Sequence, residues 1–285
     1  GWMVKTRLIE KAKPKDQRDN VIINGFKLAL NGSYGKTGEE TSFLYDPLYK
    51  YKTTIAGQLF ICMWLERICN QLNNVEIIQV NTDGISIIID ENQLELCRNI
   101  NNDLTKLTGL EIEETFYDKM IVRDVNNYIG VYSGTNKAKF KGCFEIYKEL
   151  HKDQSSTIVP IALKEYFINN IPIEKTIKNH KDIFDFCIRL KLKKTTDGIF
   201  NCVENGNIKN ILLPRTTRYY ISNKGGTILK KHHSTDRTEG VNVGFKTTLF
   251  NNYIEKENYD INYTYYIKEC YKIIDIIENK QLELF

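Results

Sequence analysis

Apolar residues recur at two different periods in the first half of the chain. Helical spacing predicts helices at residues 19–33, 54–72 and 93–107. Two β-branched runs flank residues 81–84, Asn-Thr-Asp-Gly, which is typical of a hairpin with a type I′ turn. Short apolar runs separated by Asn, Gly and Ser indicate an antiparallel sheet. The predicted strands of the hairpin and the sheet are residues 75–80, 85–89, 112–116, 120–125, 128–132 and 138–144.

The second half of the chain shows a mostly helical pattern from residue 151 onward. Predicted helices are residues 158–168, 175–179, 183–190 and 263–277, and predicted strands lie near 217–222 and 226–230. No Pro/Gly/Ser-rich linker occurs. We place the domain boundary near residues 145–155, where the strand pattern gives way to the helical one. The pattern predicts an α+β fold, in which helices and an antiparallel sheet are followed by a helix-rich unit.

Composition excludes several classes of protein. The 285 residues are 41% hydrophobic and 27% charged, with a mean hydropathy of −0.40, unlike a disordered chain, a collagen or a membrane bundle. The longest mostly apolar stretch, residues 56–65, is too short to span a bilayer. Seven cysteines without a C-x-x-C pair favour a reducing compartment. Cys62 and Cys69 are predicted to be core residues of a helix.

Charge is distributed in blocks of opposite sign. Residues 74–120 carry a net charge of −7, residues 189–246 carry +8 and residues 247–285 carry −3. A basic block with interleaved aromatic residues suits a phosphate backbone, although a solvated basic face has the same composition. The residues concerned are Arg215, Arg218, Tyr219, Tyr220, Lys224, Lys230 and Lys231.

One face of the first predicted helix is polar. Its members, at spacings of 4, 3, 4 and 3, are Asn20, Asn24, Lys27, Asn31 and Tyr34. A Lys, an amide and an aromatic ring one turn apart suit the phosphates, the sugar and the base of a nucleotide. An ordinary exposed helix face is the alternative.

The predicted hairpin turn places Asp83 at its tip. Ladder hydrogen bonds on both sides would hold this carboxylate rigidly, which suits the octahedral oxygen coordination of Mg²⁺. An ordinary turn is the alternative, because Asp-Gly is good turn chemistry in itself.

The two motifs together resemble those of family B (polymerase-alpha-like) DNA polymerases of the phage type. Residues 27–35, K-x-x-x-N-G-x-Y-G, are similar to the fingers motif K-x-x-x-N-S-x-Y-G, and residues 81–84 are similar to the end of the palm motif Y-x-D-T-D-S. Further segments resemble other parts of the family in the same order. Residues 53–58 are similar to the stretch joining these motifs, and residues 126–128 to the K-K-R-Y primer–template motif. Residues 139–142 are similar to the Lys/Gly strand after it, and residues 151–166 with 215–231 to the thumb.

The resemblance implies a fragment of a right-hand polymerase, with the end of the fingers in residues 1–52, part of the palm in 53–148 and the thumb in 149–285. It implies template-directed DNA synthesis, in which deoxynucleoside triphosphates are joined to a primer 3′-hydroxyl with two Mg²⁺ ions. Asp83 would be the catalytic metal ligand. The resemblance further assigns Lys27, Asn31 and Tyr34 to nucleotide binding, and Tyr128, Lys139, Lys141, Arg215 and Arg218 to primer–template DNA. A cytoplasmic protein is expected, in the host cytoplasm if the source is viral.

The chain departs from the family pattern at Gly32, Asn81 and Gly84, where the family has Ser, Asp and Ser. The first catalytic Asp of the family, in D-x-x-S-L-Y-P, has no match among the 26 residues before Lys27. We therefore expect a further polymerase segment to supply that Asp and the exonuclease, and the chain alone to be inactive or nearly so. The alternatives are a non-catalytic primer–template DNA-binding module, an unrelated Mg²⁺-dependent nucleotidyltransferase or reverse-transcriptase-like palm, and a structural protein.

Overall fold

The structure is a computed structural model that describes residues 1–146, 153–204, 206–235, 237–253 and 258–282, with side chains described to residue 279. Contacts divide the chain into two units, Gly1–Glu114 and Thr115–Phe285. Both units combine helices with antiparallel strands, so the fold class is α+β. Within the described residues, every helix is too short or too polar to cross a membrane.

The first unit contains four helices and one hairpin. Its helices are α1 (Trp2–Ala12), α2 (Asn20–Lys36), α3 (Pro47–Gln71) and α4 (Leu94–Thr108), and its antiparallel strands are β1 (Glu76–Val80) and β2 (Ile85–Ile88). Asp19 caps α2, because its carboxylate accepts hydrogen bonds from the amides of Val21 and Ile22. The core of the unit lies where α3 and α4 meet the hairpin. Its buried residues are Ile68, Leu72, Cys97, Ile100 and Leu104.

The described residues of the second unit form three antiparallel sheets. Their strands are β3 (Tyr117–Asp124), β4 (Asn127–Tyr132), β5 (Ala138–Phe140), β6 (Ile188–Lys191), β7 (Thr196–Glu204), β8 (Asn207–Leu213), β9 (Thr216–Ser222), β10 (Thr227–His232), β11 (Thr238–Val241) and β12 (Lys246–Leu249). The strand orders are β3-β4-β5, β11-β10-β7-β8 and β12-β9-β6. The helices of this unit are α5 (Ile158–Asn169), α6 (Ile173–Asn179) and α7 (Tyr263–Leu282).

Helix α7 is tied into the core of the second unit by Tyr266. This side chain is fully buried, and its hydroxyl donates to the carbonyl oxygen of Phe186 (2.7 Å) and accepts from the amide of Ile221 (2.9 Å). Burial raises the pKa of Tyr266 well above its ordinary value, so the hydroxyl stays a donor. One side chain therefore satisfies a backbone group on β9 and one in the turn before β6.

Several sequence predictions are confirmed, with ends shifted by a few residues. They are the helices at 19–33, 54–72, 93–107, 158–168, 175–179 and 263–277, the hairpin strands, and the strands at 120–125, 128–132, 217–222 and 226–230. Helix α3 begins seven residues earlier than predicted, because Asp46 caps it and Pro47 opens its first turn. The strand predicted at 138–144 ends at Phe140, after which Gly142–Phe144 form a 3₁₀ turn.

The prediction of a mostly helical second half is wrong. Strands β6 to β12 occupy most of residues 188–249, and the helix predicted at 183–190 is a short 3₁₀ turn followed by β6. In β6 the apolar residues Ile188 and Leu190 alternate with Arg189, as expected for a strand. Over only four residues this alternation cannot be distinguished from helical spacing.

Two further predictions are wrong. Residues 112–116 form no strand, and β3 begins only at Tyr117; Glu113 and Glu114 make ion pairs with Lys11 and Arg98. Cys62 and Cys69 are exposed rather than in the core. Each follows a core residue of α3 by one position, which turns its side chain about 100° away from the buried face.

The predicted domain boundary near residues 145–155 falls mainly on residues 147–152, which lie outside the described residues. The first two residues of the predicted thumb segment, 151–166, lie there as well.

Candidate functional site

The polar face of α2 is open to solvent along most of its length. Asn20, Asn24, Lys27 and Asn31 are exposed, and Tyr34 is half-buried. The predicted nucleotide-binding side chains Lys27, Asn31 and Tyr34 therefore share one accessible helix face. An added Cβ at Gly32 would meet no atom within 4 Å, so the family's Ser would fit there without rearrangement.

Tyr34 is held in place from α3. Its hydroxyl lies 2.7 Å from Oγ1 of Thr54, and Thr54 in turn donates to the carbonyl oxygen of Lys50 (2.9 Å). Because the Thr54 proton is used in that bond, Tyr34 is the donor to Thr54. Thr54 belongs to the segment that resembles the connection between the two family motifs. Sequence reasoning did not assign it this role, which depends on how α2 and α3 pack.

Asp83 is exposed at the tip of the β1–β2 hairpin. The amide of Asn81 donates to the carbonyl oxygen of Gly84 (2.9 Å), and the side-chain oxygen of Asn81 accepts from the amide of Asp83 (3.2 Å). The turn is not type I′, because neither Thr82 nor Asp83 has the positive φ that this type requires. Asn81 instead closes an Asx-turn, which leaves the Asp83 carboxylate free of the turn's hydrogen bonds.

The base of the hairpin is rigid. Its apolar residues pack on α3 and α4, where Nε1 of Trp64 donates to Oδ1 of the buried Asn101 (2.9 Å). The side chain of Gln93 bonds both backbone groups of Asn73, accepting from its amide (2.6 Å) and donating to its carbonyl oxygen (2.7 Å). These bonds join the chain on either side of the hairpin and so hold the backbone that carries Asp83.

The described residues do not by themselves fit a pair of Mg²⁺ ions. They contain no group of three or more His, Cys, Asp or Glu side chains suited to a metal. The other side chains of the turn that carry oxygen are the amide of Asn81 and the hydroxyl of Thr82. Asn81 accepts within the turn, and Gln79, 7% exposed, has a side-chain oxygen without a hydrogen-bond partner in the described chain. One carboxylate is too little charge to hold two Mg²⁺ against water.

The described contacts do not join the two motifs of the first unit directly. No hydrogen bond, ion pair or ring contact among the described residues links Asp83 to Lys27, Asn31 or Tyr34. Gly84 has ordinary backbone angles and an added Cβ there would lie 3.7 Å from Oδ1 of Asn81, so Ser would also be accommodated at this departure from the family pattern.

The K-K-R-Y-like segment and the Lys/Gly strand lie against each other. Asn127 accepts from the amide of Cys143 (2.7 Å) and donates to the carboxylate of Asp124 (2.7 Å). Gly142 has a φ of 62°, and an added Cβ would lie 2.2 Å from Oδ1 of Asn127. Only Gly is compatible with that backbone and that approach. Asn127 and Gly142 thus lock β4 to the end of β5, in the part of the chain predicted to meet DNA.

Lys139 lies among tyrosines on this sheet. Its Nζ is 5.7 Å from the ring centroid of Tyr128, which is only 7% exposed, and the rings of Tyr117 and Tyr132 stack at 5.3 Å. Burial lowers the pKa of Lys139, but the hydroxyl of Tyr128 and the neighbouring phenols outweigh burial and raise it. Lys139 therefore keeps its charge. The buried ring of Tyr128 positions Lys139, while Lys141 is exposed beyond it.

Arg218 has a partner that sequence reasoning missed. In the β6–β9 ladder Arg189 lies directly opposite Arg218, and Lys191 lies opposite Thr216. Arg215 is exposed just before β9. Arg189 opens the basic block in the sequence, but its proximity to Arg218 follows from strand register alone, which the predicted helix at 183–190 concealed.

A scan against protein-family models and a search of curated proteins find no match to this chain.

Proposed function

We propose that this chain is the C-terminal portion of a family B DNA polymerase and takes part in template-directed DNA synthesis. The observation that carries the proposal is the exposed carboxylate of Asp83, at the tip of a hairpin whose turn is closed by the side chain of Asn81 and whose base is packed on α3 and α4. Rigid presentation of a carboxylate is what a catalytic metal ligand needs, because a metal site loses affinity when its ligands must be ordered on binding. An exposed turn whose sole role is to reverse the chain does not need this support.

The nucleotide would be met by the exposed face of α2. Lys27 would pair with the triphosphate, and Asn31 and the ring of Tyr34 would lie against the sugar and base. The bond from Tyr34 to Thr54 supports this role, since it holds the ring in one orientation before any ligand arrives. Preorganised side chains of this kind contribute to catalysis by positioning.

Primer–template DNA would be held by the second unit. Lys139 and Lys141 would contact the backbone from β5 and its end, and Arg215 and Arg218 from β9. Arg189 adds a further cation beside Arg218. This assignment agrees with the net charge of +8 in residues 189–246.

The metal site would be completed by another polymerase segment. Since Asp83 is the one carboxylate of the turn at residues 81–84, we propose that a segment carrying D-x-x-S-L-Y-P provides the second and that the two polypeptides together bind Mg²⁺. The exposed cysteines Cys62 and Cys69 and the absence of a disulfide among the seven cysteines agree with a reducing compartment such as the cytoplasm.

The test is primer extension with Mg²⁺ and four deoxynucleoside triphosphates, by this chain alone and in a mixture with a fragment bearing D-x-x-S-L-Y-P. We expect extension only in the mixture, and we expect Asp83→Ala to abolish it. The control is Asp90→Ala, which removes an exposed carboxylate beyond β2 and should leave extension unchanged. Robust extension by the chain alone, or a mixture indifferent to Asp83→Ala, contradicts the proposal.

A second candidate, a DNA-binding module without chemistry, is favoured by one observation. Asn81 replaces an acid of the family pattern, and its amide is engaged in the turn. Such a module would bind primer–template in a salt-sensitive manner, give no extension in the mixture and retain DNA binding in Asp83→Ala.

A further inference from the structure

An aromatic cluster adjoins Arg218 in the second unit. The rings of Phe184 and Tyr253 stack at 5.7 Å with an interplanar angle of 16°, and Phe250 meets both edge-on, at 5.4 and 6.2 Å. The guanidinium carbon of Arg218 lies 5.9 Å from the ring centroid of Phe184. Tyr220 extends the cluster beneath, with its ring 6.0 Å from that of Phe250. The stacked pair therefore packs on Phe250 and Tyr220, and the guanidinium of Arg218 lies beside it.

The two stacked rings of this cluster are exposed to solvent. Phe184 is 42% exposed and Tyr253 is 59% exposed, whereas Phe250 and Tyr220 are buried. Aromatic rings are among the most costly side chains to leave in water, because each carries a large apolar area. The stacked pair is supported by buried rings, and more than half of the Tyr253 side chain is left accessible to a ligand.

The surface beside these rings is basic. Register places Arg189, Lys191, Thr216 and Arg218 on one face of the β6–β9 pair. Arg189 makes one long ion pair, 3.5 Å to Asp153, whose side chain is 59% exposed. Exposed pairs of this length contribute little, so a phosphate can replace the carboxylate at small cost. Positive charge thus runs along the sheet to the edge of the aromatic surface.

We propose that this surface, formed by Phe184, Tyr253, Arg218 and Arg189, binds an unpaired polynucleotide strand, with a base stacked on Tyr253 and the adjacent phosphates on the two arginines. The combination of a stacking ring with a row of cations is the arrangement that recognises single strands, because it offers a π-face to the base and charge to the backbone. A duplex hides its base faces by stacking them on each other, so it cannot use the ring. The proposal adds a ligand class to the DNA-binding role proposed for Arg218, and it does not depend on catalysis.

The test is fluorescence anisotropy of the full chain with three labelled strands of equal length: oligodeoxyuridine, oligouridine and an abasic deoxyribose-phosphate strand. We expect both base-bearing strands to bind more tightly than the abasic strand by roughly 5- to 150-fold, the range observed for one stacked base. A blunt duplex of the same length should show no loss on substitution of Tyr253. The two base-bearing strands differ only in the 2′-hydroxyl, so the tighter of the two identifies DNA or RNA as the source.

Three variants make the test specific. Tyr253→Leu keeps apolar packing against Phe184 and Phe250 but removes the π-face, and it should remove the advantage of base-bearing strands while leaving abasic binding unchanged. Tyr253→Phe should bind as the parent chain does. Tyr49→Ser is the matched control, because Tyr49 is 54% exposed on α3 in the other unit, and it should have no effect.

The proposal is overturned if the parent chain binds abasic and base-bearing strands equally, or if Tyr253→Leu keeps the difference. It is also overturned if Tyr49→Ser weakens binding as much as Tyr253→Leu does. If the polymerase mixture extends the primer but strand binding does not depend on the bases, this inference is wrong and the proposed function is still supported. The reverse outcome would leave single-strand binding without polymerase chemistry.

Discussion

Arg189 on β6 and Arg218 on β9 lie directly opposite each other in an antiparallel ladder. Cross-strand neighbours have Cβ atoms about 4.5–5.5 Å apart, and like charges in this position destabilise a sheet. The pair therefore concentrates positive charge at some expense of folding stability. Such an arrangement is typical of a surface that meets an anion.

Replacing Arg189 should separate its effect on folding stability from its effect on DNA binding. We expect Arg189→Gln to change the free energy of unfolding by no more than about 0.5 kcal/mol, because lost repulsion offsets the long ion pair with Asp153. In primer–template binding, the slope of log K against log salt should fall by about 0.9, the value for one phosphate contact on a duplex. The control is Lys268→Gln, an exposed lysine of α7. An equal loss of slope in both variants would show diffuse charge rather than a local contact.

Lys139 should contribute to primer–template binding through its positive charge. Lys139→Met keeps the aliphatic packing against Tyr128 but removes the ammonium, so primer–template affinity should fall and the salt slope should decrease by about 0.9. Because the surrounding phenols raise the pKa of Lys139, the loss should be the same from about pH 6 to pH 9. Titration by anisotropy measures both quantities. Lys137→Met, at the exposed turn before β5, should cost less than half as much.

Asn127 should be important for stability rather than for binding. Asn127→Ala leaves the amide of Cys143 without its acceptor and should lower the free energy of unfolding by about 1–3 kcal/mol. Hydrogen exchange at Cys143 should accelerate. Urea unfolding followed by circular dichroism, together with exchange mass spectrometry, tests both effects. The matched control is Asn126→Ala, since the side chain of Asn126 is exposed and only its backbone amide bonds to Asp124. Equal exchange rates in the two variants would contradict this role.

Asn81→Asp should strengthen metal binding at the hairpin. A carboxylate at this position can still accept from the amide of Asp83, so the Asx-turn should persist. A second negative charge close to Asp83 should tighten Mg²⁺ binding by roughly tenfold, from about 1–2 kcal/mol of attraction in water. Isothermal titration calorimetry gives the affinity. Adding Asp83→Asn to this variant should cancel the gain, and an unchanged affinity in the single variant would show that the two side chains do not converge.

Glu10 should make the first unit sensitive to acid. Its carboxylate accepts from Lys13 (2.7 Å) and from the amide of Asp19 (2.8 Å), and these bonds hold the pKa of Glu10 below its ordinary value of 4.5. A lowered pKa in the folded state means that the stabilisation is complete above the ordinary value and is lost as pH falls through the lowered one. Melting temperature measured from about pH 6 to pH 3 should fall less in Glu10→Gln than in the parent chain. Glu40→Gln, an exposed acid, should retain the parent's dependence.

The sequence predicted the first unit better than the second. Residues 19–33, 54–72 and 93–107 are long enough for a helical period to be distinguished, and Asn-Thr-Asp-Gly between two β-branched runs marks a hairpin whatever surrounds it. In β6 only four residues carry the signal, and Ile188 and Leu190 fit either period. The choice was made by pairing with β9, which lies more than twenty residues away along the chain.

The candidate residues divide in the same way. The sequence by itself determined which residues are candidates for a site: Asp83 at a turn tip, and Lys27, Asn31 and Tyr34 on one helix face. Tertiary structure alone decided that Thr54 holds Tyr34, that Arg189 faces Arg218 and that Phe184 stacks on Tyr253. Helix periodicity and turn preference act over a few neighbouring residues and can be seen in the sequence. Strand register and side-chain packing join residues 20 to 69 positions apart, and they are fixed only when the whole unit buries its core.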